Sequence, residues 1–203
     1  MTAVRQRGFT LVEVVIALTI AATLLVVMFA GLRVGLAAWQ RGDERAEALQ
    51  RTRSITQIVI RTLAAAHPYQ MSATGQEPAR LLFEGEPDRV AFVTAAAPFP
   101  LAEPIAYTAV TLSQDAGAGL AIRQKPLPND KPFERLPPTV VDGSVTAIAF
   151  RYLRDADRTW TDRWDAAVEK ALPVAIEATL SITQASHTVE QPPLLISFPV
   201  TTP

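Results

Sequence analysis

Residues 14–32 constrain the fold most strongly, because this stretch contains no charged residue and no proline. As a helix rising about 1.5 Å per residue, the run 9–32 is long enough to cross the roughly 30 Å hydrocarbon core of a bilayer. Arg5 and Arg7 precede it, and basic residues favour the cytoplasmic side of a membrane. We therefore predict a single membrane span, with a cytoplasmic N-terminus and a C-terminal domain on the opposite side of the membrane.

Glu13 is the one acidic residue near the start of this apolar run. A carboxylate within hydrocarbon costs about 2.5–3.5 kcal/mol on insertion scales, so Glu13 needs a partner. Cleavage between Gly8 and Phe9 would create one, since the new α-amino group would lie one helical turn away, in the same chain or a neighbouring one. An ordinary secretory signal is cut on the far side of a shorter apolar region. The alternative is an uncleaved signal anchor with a chance glycine.

Composition limits the function classes. A chain of 203 residues has room for a membrane helix and one modest soluble domain. Removing Arg5 and Arg7 with the leader leaves 17 basic against 20 acidic residues, a net charge of −3, and no basic patch predicts a nucleic-acid partner. The chain has no cysteine, so disulfides and thiolate metal sites are excluded.

The helix is predicted to continue into water and to end near residue 67, because no proline occurs between Phe9 and Pro68 and helix-forming residues dominate after Arg33. Small and apolar residues recur there every three or four positions, which predicts one face packed on a sheet. That face comprises Ala46, Leu49, Thr52, Thr56, Val59, Leu63 and Ala66. Ile55 and Ile58 lie off it, as partner contacts or as ordinary exposed residues.

From Met71 onward, short β-branched and aromatic runs separated by proline and glycine predict antiparallel strands. The predicted strands are 80–83, 89–93, 105–112, 120–124, 145–153, 175–183 and 194–198. Ile148 and Phe150 alternate with small or charged residues and are predicted as core. The fold class is α+β, a long N-terminal helix on an antiparallel sheet. Its regions are a leader at 1–8, a transmembrane part at 9–32, a helix beyond the membrane at 33–67 and a β-rich domain at 68–203.

Four carboxylates crowd one segment and are the strongest candidate for a metal site: Asp155, Asp157, Asp162 and Asp165. A calcium-binding EF-hand loop would need glycine where Trp160 stands and glutamate where Ala166 stands, and nearby arginines compete for the carboxylates. We therefore predict solvated ion pairs and no metal. Trp160 and Trp164 in the same segment are predicted as packing residues, with a partner contact as the alternative.

The sequence carries no recognisable catalytic apparatus. It has no G-x-S-x-G element and no glycine-rich phosphate loop. Its two histidines are far apart in sequence, and simple structural roles are predicted for both: His67 at the helix end and His187 at a strand edge. No catalytic residue and no cofactor are predicted, and the chain is not expected to be an enzyme.

The residues Arg7, Gly8, Phe9, Thr10, Leu11, Val12 and Glu13, followed by the apolar run, resemble the class III leader of type IV pilins and type II secretion pseudopilins. The resemblance implies that a prepilin peptidase cuts after Gly8 on the cytoplasmic side and methylates the amino group of Phe9. It also implies that Glu13 is the assembly glutamate at the fifth position of the mature chain.

A second resemblance lies in the C-terminal half and extends to residues 84–93. Its marks are Phe150, Arg151 and Tyr152, then Trp160, Thr161, Asp162 and Trp164, then residues 172–177. They are similar to the J-type minor pseudopilins of type II secretion. That family implies a complex with the I and K pseudopilins at the tip of a filament built from the major pseudopilin. This pseudopilus would drive proteins across the outer membrane. The resemblance therefore implies that the span lies in the inner membrane and that residues 33–203 are periplasmic.

Two alternatives stay open. A minor pilin of a type IV pilus or a DNA-uptake filament shares the leader, but usually carries a disulfide that this cysteine-free chain cannot form. A membrane-anchored periplasmic binding module would need a pocket with converging polar groups, which the sequence does not locate.

Overall fold

A computed structural model describes residues 10–71, 79–102, 104–115, 119–134, 137–155, 157–184 and 187–198. In these ranges a long N-terminal helix precedes antiparallel sheets, which confirms the predicted α+β class. The chain divides into two compact units, Met1–Gln50 and Arg51–Pro203.

Helix α1 spans Leu11–Ala64 without interruption. From residue 10 to residue 36 every side chain is exposed, and most of them are apolar. A helix that is apolar on all sides suits an apolar environment rather than one face of a core. Among the described helices, α1 is the one long and apolar enough to cross a membrane.

The last turns of α1 belong to the second unit and bury one face. The buried residues there are Thr52, Ile55, Val59, Thr62 and Leu63. The predicted face was therefore partly wrong, since Leu49 is 52% exposed and Ile55 only 6%. Apolar residues flank the centre of this face on both sides, so spacing alone could not decide which side meets the sheet.

Helix α1 ends three residues earlier than predicted. Beyond Ala64, Ala66 forms an isolated antiparallel bridge with Thr94, and the backbone N–H of His67 donates to the carbonyl of Val93 at 2.8 Å. These bonds to a strand replace the helical ones, so the chain leaves the helix before Pro68 requires it to.

The described part of the second unit forms the strands β1 (Gln70–Met71), β2 (Arg80–Leu81), β3 (Phe83–Gly85), β4 (Arg89–Thr94), β5 (Thr108–Asp115), β6 (Gly119–Pro126), β7 (Val140–Asp142), β8 (Val145–Leu153), β9 (Trp160–Thr161), β10 (Trp164–Asp165), β11 (Ala175–Gln184), β12 (His187–Glu190) and β13 (Leu194–Ser197). Among these described residues the strands pair into three antiparallel sheets. Strands β1 and β2 form a small one. A six-stranded sheet has the order β10-β3-β4-β5-β6-β7, and the third has β12-β11-β8-β9 with β13 also paired to β11. A four-residue helix α2 (Ala166–Glu169) follows β10.

One core joins α1 to both large sheets. Val59 and Leu63 of the helix share a cluster with Phe92 of β4 and with Ile148 and Phe150 of β8. Ile148 and Phe150 are 3% and 1% exposed, which confirms their prediction as core. Because the chain has no cysteine, this packing holds the second unit together without a disulfide.

The other face of the six-stranded sheet is also covered. Leu82, Val93, Ala109 and Leu127 form a second buried cluster, with Tyr69, Met71, Tyr107 and Phe133 packed against it. Strands β4 and β5 are consequently buried on both faces over most of their length. Such strands show no alternation of polar and apolar residues.

Strand β8 has the predicted bounds but contains a bulge. Ile182 of β11 pairs with Val145 while the preceding Ser181 pairs with Ala147, so Thr146 is an extra residue. One extra residue reverses the alternation on its N-terminal side. Val145 is therefore buried and Thr146 exposed, opposite to what strict alternation counted back from Ile148 and Phe150 would give.

Candidate functional site

The start of α1 is built as a capping box. The carboxylate of Glu13 accepts from the backbone N–H and from the hydroxyl of Thr10, both at 3.1 Å. In return, the hydroxyl oxygen of Thr10 accepts from the N–H of Glu13 at 3.3 Å. This reciprocal T-x-x-E arrangement satisfies two donors that a helix start would otherwise leave unpaired. Glu13 thus has a local structural role in addition to the assembly role predicted for it.

Gly8 and Phe9 lie outside the described residues. The pairing of Glu13 with the amino group of Phe9 therefore stays a prediction. The capping box limits how that pairing would form, because one oxygen of Glu13 already accepts from Thr10. A carboxylate accepts several hydrogen bonds, so its second oxygen remains suited to an ammonium group.

The acidic segment forms local hydrogen bonds and ion pairs. Asp157 accepts from the N–H and hydroxyl of Thr159 at 3.2 and 2.7 Å. Those bonds, helped by the charge of Arg154, lower the pKa of Asp157. Asp165 caps helix α2 by accepting from the N–H of Ala167 at 2.8 Å.

Two arginines complete this network. The Nε atom of Arg151 lies 3.7 Å from a carboxylate oxygen of Asp162. The guanidinium of Arg154 donates a hydrogen bond of 2.7 Å to the carboxylate of Glu169. The bond to Glu169 raises the pKa of Arg154. Among the residues that the structure describes, no three histidine, cysteine or acidic side chains are grouped so that they could hold a metal ion. The acidic side chains that make these contacts thus serve caps, turns and ion pairs.

The two tryptophans of this segment have different environments. Trp164 is 4% exposed in the main core, and its indole N–H donates to the carbonyl of Ala171 at 3.0 Å. Trp160 is half-buried, and the guanidinium of Arg151 lies 5.7 Å from the centre of its ring. Packing is therefore confirmed for Trp164, whereas Trp160 combines partial burial with a cation–π contact.

Tyr152 fastens the turn between β3 and β4. Its ring is fully buried and its hydroxyl donates to the carbonyl of Glu86 at 3.0 Å. Burial, followed by the charge of Glu86, raises the pKa of the Tyr152 hydroxyl. The ring lies directly against the α-carbon of Gly85, where a β-carbon would overlap it. This contact explains a glycine in the last position of β3.

The histidines are placed separately by the fold. His67 follows α1, and its ring stacks on Tyr107 with centroids 4.7 Å apart. His187 begins β12, where it is exposed and pairs with Gln184 of β11. These positions agree with the structural roles predicted for the two residues.

Ile58 borders a shallow groove on the second unit. The groove has a volume of about 270 Å³ and runs between α1 and the segment after β4. Ile58, Gln57 and Arg61 line its helical side, and Pro98 lies opposite. Ile58 packs partly against the main core while opening to this groove, so its predicted place off the packed face was partly wrong, and a partner contact there stays a prediction.

Comparison with known proteins identifies the family. A family model described as type II secretion system protein J matches residues 30–190. The chain belongs to the type II secretion system protein J family. A second model, the prokaryotic N-terminal methylation motif, matches residues 4–29. A protein of Xanthomonas campestris pv. campestris, type II secretion system protein J, is 29% identical over 206 residues, covering 96% of this chain and 94% of the relative.

Membership settles the coarse function of the J-family chain. It is a pseudopilin, a structural component of a type II secretion system, with an N-terminal methylation motif and a candidate transmembrane helix. Association with other pseudopilins in the pseudopilus follows from the family.

The capping role of Thr10 was not predicted from the sequence, although the pattern T-x-x-E before an apolar run is a recognised signal for a capping box.

Proposed function

We propose that this J-family pseudopilin joins the I and K pseudopilins in a tip complex that initiates or caps the pseudopilus. The filament would drive folded proteins across the outer membrane. The observation that carries the proposal is the stretch 10–36 at the start of α1, which exposes its apolar side chains and begins with the capping box of Thr10 and Glu13. Helices of this kind pack together when they leave lipid, and an ionisable group among them requires a partner.

The first step would be cleavage between Gly8 and Phe9 by a prepilin peptidase, followed by methylation of the Phe9 amino group. The methylation motif over residues 4–29 supports this processing. Mass spectrometry of protein extracted from membranes should find a chain that begins at N-methylated Phe9. Retention of Met1 in cells with an active peptidase would contradict the proposal.

The second step is charge pairing between Glu13 and a Phe9 amino group, in the same chain or in a neighbour. The capping box makes a sharper test possible than removal of the side chain. Glu13→Gln preserves the hydrogen-bond acceptor that caps the helix but removes the charge, whereas Thr10→Ala removes the threonine cap and keeps the charge. Glu13→Ala removes both.

If charge pairing directs assembly, Glu13→Gln should fail as completely as Glu13→Ala, and Thr10→Ala should retain most activity. The measurements are secretion, methylation of Phe9 and crosslinking to partner pseudopilins at equal expression. Full function of Glu13→Gln would show that the cap suffices and would refute the pairing. Because Glu13 lies in the first unit, none of these variants should change the melting temperature of the second.

The third step is recognition by the other minor pseudopilins. A truncated chain that starts near Ala37 should be soluble, since it leaves out the uncharged apolar run. Purified with the soluble parts of the I and K pseudopilins, it should co-elute with one or both in size-exclusion chromatography. A truncated chain that folds but binds neither would refute the tip complex while leaving the family assignment intact.

A further inference from the structure

The apolar surface of α1 does not stop at Leu32. The helix continues through Arg33, and residues 34–39 again carry no charge. Val34 is 69% exposed, Leu36 is 52% exposed and Trp39 is 70% exposed. Trp39 lies seven residues, or about 10 Å along the helix, beyond Leu32. Exposed tryptophans that follow a membrane span are typical of residues that lie among lipid headgroups.

The spacing of the charges matches the layers of a bilayer. From Thr10 to Trp39 the helix is about 44 Å long, and a bilayer with its headgroups is about 40–45 Å thick. The charge-free residues 14–32 cover about 28 Å of that length, close to the roughly 30 Å of hydrocarbon. Centring residues 10–39 in the bilayer places Glu13 and Arg33 each within about 3 Å of an edge of the hydrocarbon, and it places Trp39 in the outer part of the headgroup layer.

The residues at the second edge suit a phospholipid surface. Arg33 can extend its guanidinium outward along its aliphatic stem towards lipid phosphates. Arg41 follows two residues after Trp39, and the next acidic residue after Glu13 is Asp43. Residues 33–41 thus carry a positive charge at each end of a largely apolar stretch, and the acidic residues begin beyond them.

We propose that residues 33–41 bind the headgroup layer of the leaflet on the side of the second unit, with Trp39 as the anchor and Arg33 and Arg41 facing phosphates. The membrane-embedded segment then ends near Trp39 rather than at Leu32. This proposal rests on the single-pass anchoring in the proposed function. It fixes the depth of the helix before the subunit is drawn into a filament.

The test uses the full chain in nanodiscs that hold one chain each, so that no neighbouring helix can cover Trp39. Discs are prepared with phosphatidylcholine and phosphatidylglycerol brominated either close to the headgroup or near the end of the acyl chain. Bromine quenches nearby tryptophan. The emission of Trp39 is obtained by subtracting the spectrum of Trp39→Phe, which removes the contributions of Trp160 and Trp164.

We expect lipid brominated close to the headgroup to remove most of the Trp39 emission, and lipid brominated near the chain end to remove less. As a control, Leu24→Trp in the Trp39→Phe background should show the opposite order, since residue 24 lies at the centre of the apolar run. Unquenched Trp39 beside a quenched residue 24 would overturn the headgroup anchor and leave the span intact. Stronger quenching of Trp39 by the deep bromines would also overturn it.

If neither position is quenched, the helix does not cross the bilayer and the anchoring in the proposed function fails with it. If residue 24 alone is quenched, the family role stands and the boundary is at Arg33. The two failures are therefore distinguishable in one experiment.

Discussion

The contact between Gly85 and Tyr152 gives the most demanding prediction. A β-carbon added to Gly85 would lie 2.7 Å from Cε1 and 2.8 Å from Cε2 of the Tyr152 ring, and closer still to Cζ. The ring cannot retreat easily, because Phe83 packs edge-on against it at 6.1 Å and its hydroxyl is bonded to Glu86. We therefore predict that Gly85→Ala destabilises the second unit.

The magnitude follows from two opposing effects. Overpacking of a well-filled core costs about 1–3 kcal/mol. Replacing glycine by alanine restricts the unfolded chain, which returns about 0.4–1 kcal/mol. Since the ring is held from two sides, we expect an overpacking cost in the upper part of its range. After subtraction of the unfolded-chain effect, the net loss in the free energy of unfolding is about 2 kcal/mol.

Urea unfolding followed by tryptophan fluorescence measures this loss, because Trp164 is buried in the same core as Tyr152. Gly42→Ala is the matched control, since a β-carbon on this helical glycine meets no atom within 4 Å and should not destabilise. In a Tyr152→Leu background, which lacks the outer ring atoms, the cost of Gly85→Ala should largely disappear. An unchanged cost in that background would refute the steric explanation.

Three further predictions concern stability. Ile55→Ala should lower the free energy of unfolding of the second unit by about 2–5 kcal/mol because Ile55 is core, whereas Leu49→Ala should leave it nearly unchanged; urea titration compares them. Lys170→Gly should raise the free energy of unfolding by up to about 1 kcal/mol, because Lys170 caps α2 in the left-handed region at φ 57°, which glycine adopts without strain. A lower melting temperature of this variant would contradict the prediction. Burial raises the pKa of Tyr152, so the unfolded chain loses this proton first as pH rises. Stability should therefore fall above about pH 10, and Tyr152→Phe should reduce that fall in melting temperature.

The fold class was predictable because the chain's strongest patterns are local. Strand β8 alternates along most of its length and has large side chains at Ile148 and Phe150, which identify the core face. Helix α1 has no proline and is apolar on all sides at its start. Both features depend on residues near one another in sequence, and both are confirmed in the structure.

Other elements depend on partners distant in sequence and were missed. Strands β9 and β10 have two residues each, and their ladders exist because Tyr152 meets Thr161 and Gly85 meets Trp164. The bulge at Thr146 is a matter of register with β11 and leaves no mark in local sequence. Strands covered on both faces carry no alternation, so the second cluster around Val93 could not be predicted either.

The start of α1 shows a different limit. Its motif predicts the pseudopilin family, which the family model confirms, and the charge of Glu13 predicts only pairing with an amino group. The structure adds that Glu13 also accepts hydrogen bonds from Thr10. A carboxylate has room for both tasks, so a sequence motif for processing can contain a structural motif within the same residues.

One part of α1 exposes its apolar side chains and the other part buries them in a core. Substitutions in the first part therefore test assembly, and substitutions in the second part test folding. Residues 10–36 expose their apolar side chains, and substitutions there change what the helix meets outside its own chain. Ile55, Val59 and Leu63 supply the core of the second unit, and substitutions there change its free energy of unfolding. A variant such as Glu13→Gln that abolished crosslinking while the second unit kept its melting temperature would therefore locate its defect in assembly. A parallel loss of both properties would show that the two parts of the helix are energetically coupled.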